Sequence, residues 1–79
     1  MRIDDRYSAS STSGSLKYPG NRITVYRDGL KVLTVNFTVG NPLEYIRNCA
    51  KGKHREKLFY ECQRAGIPRI VIMKMINGP

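Results

Sequence analysis

The sequence predicts a small α+β domain in which helices pack on one face of a three-stranded sheet. Three observations carry that reading. Two segments rich in β-branched and aromatic residues flank Asp28-Gly29, as in a β-hairpin. Asn41-Pro42-Leu43-Glu44 then opens a stretch whose apolar residues recur at helical spacing as far as Gly66. Finally, Ile70 to Ile76 form a nearly continuous apolar run. At 79 residues the chain has room for one such domain, with a thin core. The reading assigns residues 16–79 to this domain and 1–15 to a flexible tail.

The tail is expected from composition. Five serines fall between Ser8 and Ser15, with Thr12 and Gly14 among them and no apolar periodicity. A short edge strand over Ser15–Tyr18 would fit before the Pro19-Gly20-Asn21 turn.

The hairpin pairs Asn21–Tyr26 with Leu30–Val39. Leu33, Val35, Phe37 and Val39 alternate on one face, and Ile23 and Val25 must join them to bury a core. A two-residue Asp28-Gly29 loop with regular pairing would set Ile23 against Thr34 and split the apolar set. The expected solution is a three-residue loop, Arg27-Asp28-Gly29, with Gly29 left-handed at a bulge. The outer face then carries Arg22, Thr24, Tyr26, Val32, Thr34, Asn36 and Thr38. It reads either as an ordinary solvated face or as a flat binding surface.

Helix one is expected over Pro42–Lys51, with Asn41 as N-cap, Pro42 at the first helical position and Glu44 completing a capping box. Its apolar stripe, Leu43, Ile46 and Ala50, lies about 120° out of phase with the next, Leu58, Phe59, Cys62 and Ala65, at ~100° per residue. Gly52 is the natural break, giving a second helix over Lys53–Ala65 or one bent helix. Gly66 reads as a left-handed stop, Ile67 as its apolar contact and Pro68 as the barrier. The length and β-branching of Arg69–Ile76 predict a central strand. No repeats occur.

Catalytic, metal and phosphate-loop signatures are weak. The single histidine, His54, sits among Lys53, Arg55 and Lys57, where water rather than a cleft is expected. A small metal-independent ribonuclease using His54 and nearby cations is the enzymatic alternative. Cys49, His54 and Cys62 supply three potential ligands where a structural zinc site takes four. No Gly-rich nucleotide fingerprint is present, and no cofactor is expected. In a helical hairpin at Gly52 the two cysteines would lie ~10 Å apart along the axis, and in a continuous helix ~20 Å. A disulfide needs Cα atoms within ~7 Å, so both thiols are expected free. Two cysteines, no secretory leader and no ~20-residue apolar run fit a reducing cytoplasm without membrane association.

Charge carries the functional expectation. Fourteen Lys and Arg against six Asp and Glu give +8, and the densest window runs from Lys51 to Lys57. Such a cluster attracts phosphate backbones. The leading expectation is a small nucleic-acid-binding regulator of RNA or DNA. Lys51, Lys53, Arg55 and Lys57 would grip the backbone, with Arg47 in support, and Arg22 and Tyr26 would position an unpaired base. The alternative is an inhibitor or adaptor that covers a protein, for instance one with an acidic surface. An α+β layer is compatible with either.

Overall fold

The hairpin organises the sheet. In a computed structural model of the chain, describing residues 1–12, 21–48 and 52–78, β2 spans Asn21–Arg27 and β3 spans Leu30–Phe37. The turn between them differs from expectation: Arg27 pairs with Leu30, leaving a two-residue Asp28-Gly29 loop. Both loop residues are left-handed, with φ of 52° and 82°. That is the geometry of a type I′ turn, which matches the twist of the strands it joins. The register problem is solved two residues further on. Tyr26 pairs with Lys31, but Val25 pairs with Leu33, so Val32 is an extra residue in a bulge. Ile23 then faces Val35, and the apolar residues of both strands share one side.

The third strand comes from the other end of the chain. The expected tail contains β1, Tyr7–Thr12, antiparallel to β2, so the sheet order is β1-β2-β3. Its core side is Tyr7, Ala9 and Ser11; Tyr7 and Ala9 are buried, but the small Ala9 and Ser11 among serines leave a faint hydrophobic signature. An aspartate turn launches it: the Asp4 carboxylate accepts the N–H groups of Arg6 at 2.9 Å and Tyr7 at 2.8 Å. Those two bonds hold its pKa below the ordinary carboxylate value. The Ser15–Tyr18 strand proposed from the sequence lies outside the described residues.

Three helices follow: α1 (Pro42–Asn48), α2 (Lys53–Arg64) and α3 (Arg69–Asn77). The hydroxyl of Ser11 in β1 accepts the Leu43 N–H at 3.2 Å, while the Asn41 amide donates to the Glu44 carboxylate. The entry of α1 is thus tied to the sheet as well as to its own first turn. Separate α1 and α2 flank Gly52, whose φ is 149°; positions 49–51, and with them the expected extension of helix one to Lys51, are not described. The end of α2 closes as expected. Gly66 has φ 84°, its N–H reaches Gln63 O, and the Ile67 N–H reaches Cys62 O, both at 3.1 Å. This is a Schellman motif with Ile67 buried as its apolar contact.

The expected final strand is instead α3. Val71 and Ile72 N–H groups bond Pro68 O at 3.0 and 3.1 Å, starting a helix directly after the proline. In that helix Val71, Ile72, Met75 and Ile76 fall on one side and are buried. Ile70 and Lys74 turn outward. A strand would have split the same four residues between two faces. The helix commits them all to one core, which also contains Ile23, Val25, Val35, Phe37, Leu43, Ile46, Leu58 and Cys62. Helix α1 packs on β1 and β2, α2 on β3, and α3 against both other helices. Among the described residues, no helix is long and apolar enough to cross a membrane.

Candidate functional site

The register that buries one side of the sheet composes the other. Three cross-strand rows face outward. Arg22 lies between Thr12 and Asn36, Thr24 between Ser10 and Thr34, and Tyr26 between Ser8 and Lys31. The middle row is short. Thr24, on the central strand, is only 6% exposed, and its hydroxyl lies 3.3 Å from that of Thr34. The outer rows carry longer side chains. Small hydroxyls between longer walls create a shallow cavity of roughly 480 Å³, lined by residues of all three strands. Along β2, Arg22 and Tyr26 stand four residues, about 14 Å, apart.

No carboxylate belongs to these rows. Arg22 and Lys31 are exposed, and Tyr26 is half-buried, with one ring on a floor of hydroxyl groups. Such a surface offers two point charges, a stacking face, and donors and acceptors for an unpaired base. Arg22 and Tyr26 are where the sequence reading puts them. Lys31 was missed. The expected three-residue loop sets it against Val25 on the core side, whereas the two-residue Asp28-Gly29 turn pairs it with Tyr26.

The basic segment is less uniform than its composition. Lys53, the first residue of α2, is exposed. Arg55 is half-buried and donates to Asn77 Oδ1 at 3.0 Å, joining the start of α2 to the end of α3. Lys57 crosses to the sheet edge: its Nζ donates to Asn36 O at 2.6 Å and stands 5.2 Å from the centre of the Phe37 ring. It thus adjoins the Arg22–Asn36 row. Arg47 is drawn away from the segment, its Nε donating to Met75 O at 2.9 Å and holding α1 against α3. Lys51 lies outside the described residues.

His54 packs edge-on against Phe37 and Tyr45, with ring centres 5.9 and 5.5 Å away. Cys62 is fully buried and free, its thiol pushed up to about 12 by burial and, secondarily, by the charge of Glu61. Cys49 is not among the described residues. Among those that are, no three His, Cys, Asp or Glu side chains come together as a metal site.

No protein-family model, curated protein or solved structure matches this chain.

Proposed function

We propose that this protein binds single-stranded nucleic acid, RNA or DNA, across the open face of its sheet, as a regulator rather than an enzyme. The observation that carries this reading is the carboxylate-free polar face with Arg22, Tyr26 and Lys31 around a hydroxyl floor. Arg22 and Lys31 would each take a phosphate. Tyr26 would stack on a base, and Ser10, Thr24, Thr34 and Asn36 would meet base or sugar edges. The face is recessed at its centre, which suits a strand laid into it better than a sheet pushed into the major groove. Lys57 and Lys53 would continue the path past the β3 edge, and the +8 charge would draw the strand in from solution. Arg55 serves first to join α2 to α3, and Arg47 to join α1 to α3.

Fluorescence anisotropy with labelled 12-nucleotide RNA and DNA strands at low salt tests the proposal. Binding is expected, and Arg22→Ala with Lys31→Ala should weaken it at least tenfold. No binding by the unmodified protein, or full binding by that variant, would overturn it.

A further inference from the structure

A second surface lies on the helices and shares no lining residue with the sheet face. Between α2 and α3 runs a cavity of roughly 400 Å³ lined by Phe59, Tyr60, Met73 and Ile76, with Arg55 and Glu56 at one end. Arg55 bonds Asn77, so the two helices run antiparallel and the cavity lies along their seam. Tyr60 is 60% exposed, and Ile70, one turn before Met73, is 66% exposed. Neither packs into the core.

The rim is cationic. The Arg64 guanidinium lies 5.7 Å from the centre of the Tyr60 ring, and that of Arg69 lies 5.9 Å from the Phe59 ring. Guanidinium groups resting on aromatic faces keep their N–H edges available for carboxylates. Ion pairs among the described residues involve Arg2, Arg6 and Arg27, none at this groove. Among the described residues, Glu56 is the one carboxylate lining it. Aromatic, Met and Arg side chains together are also the residues enriched at protein interfaces and their hot spots.

We infer that the α2–α3 seam docks an acidic amphipathic helix of a partner protein. The partner's apolar residues, spaced i, i+3 or i+4 and i+7, enter between Tyr60 and Met73, and its carboxylates meet Arg55, Arg64 and Arg69. Arg55 and Arg64 are nine residues apart on α2, about 14 Å at 1.5 Å per residue, which three turns of a helix span. A second copy of the chain is a poorer occupant, because a twofold contact through this face would set arginine rims together. This inference stands apart from the nucleic-acid reading, since the sheet face and the seam share no residue.

Selection of randomised 16-residue peptides on the immobilised full chain tests it, followed by anisotropy on the retained peptides. Retained peptides should be net acidic with helical apolar spacing. Tyr60→Ala should weaken them at least tenfold, and Arg64→Glu with Arg69→Glu should turn the preference toward basic peptides. Circular dichroism verifies that each variant is folded, and the charge-reversed pair decides the matter if Tyr60→Ala is not. Retention of no peptide, of neutral or basic peptides by the unmodified protein, or indifference to the charge reversal would overturn the inference. So would displacement of the peptides by a single-stranded oligonucleotide, or dimerisation through this face in sedimentation.

Discussion

Cys62 shows what burial does to a reactive group. Its sulfur sits in the core with Leu58 and Ile72, where a thiolate would lose its hydration and face Glu61 nearby, so the proton is retained up to about 12. The native thiol should therefore resist a disulfide-exchange reagent at pH 8 and react promptly once the chain is denatured. Rapid native reaction at Cys62 would show that α2 opens locally. The linkage has a definite sign. The folded state favours the protonated thiol, so this contribution is fully present below the unfolded value of 9.0 and is lost as pH rises from there toward about 12. Asp4 acts at the opposite end of the scale. Its carboxylate is favoured in the folded chain, so its support for the start of β1 is present above the unfolded value of 3.8 and disappears as pH falls below it.

At the scale of elements, local chemistry was legible at the glycines that close a turn or end a helix, although the hairpin loop is one residue shorter than expected, with Asp28 also left-handed. Gly29 and Gly66 have the positive φ that their turns require, and Gly52 separates α1 from α2. What was not legible depended on partners distant in sequence. Tyr7–Thr12 reads as a serine-rich tail until β2 supplies its ladder. An apolar run such as Ile70–Ile76 fits a buried strand or a buried helix equally well by periodicity. Two paired substitutions separate those readings. In a strand, positions 70 and 72 share a face; in α3, Ile72 is fully buried and Ile70 is outside. Ile72→Ala should cost about 2–5 kcal/mol in denaturant unfolding, and Ile70→Ala less than about 0.5 kcal/mol. Similar costs at both sites would argue for the strand.

The bulge makes a less intuitive prediction. Val32 is the residue that the two-residue turn leaves over. Deleting it removes the irregularity while Tyr26 keeps Lys31 and Val25 keeps Leu33 as partners. The shortened hairpin should fold with a stability change within about 1 kcal/mol, since only a partly exposed side chain is lost. Deleting Thr24 from the unbulged β2 should be far worse. It turns Ile23 to the wrong face relative to both neighbouring strands, and the side-chain period of two permits no local repair. Backbone NMR spectra and urea melts of the two deletions distinguish these outcomes. An unfolded Val32 deletion would mean that the bulge itself supplies a needed twist.

For the whole molecule, the question is how +8 is divided between fold and binding. Arg47, Arg55 and Lys57 each hold a hydrogen bond between elements, so removing them confuses stability with affinity. Arg22 and Lys31 are exposed on the outer face, and changing both to Gln should leave the melting temperature nearly unchanged. If each takes one phosphate of a single strand, the double variant should bind more weakly, and its log–log salt slope should shrink by ~1.4, about 0.7 per contact. Lys53→Gln, at the exposed start of α2, should lower the slope by at most ~0.7 on the same scale. Tyr26→Ala should weaken binding by about 1–3 kcal/mol with little change of slope, because stacking releases few counterions. The pattern of slopes thereby traces the strand's path. A slope unmoved by Arg22 and Lys31 but reduced by Lys53 would place the phosphates along α2 and leave the sheet face unused. A slope lowered by both sets would carry one strand across the hydroxyl floor and over the β3 edge, where Lys57 already reaches the Asn36 carbonyl.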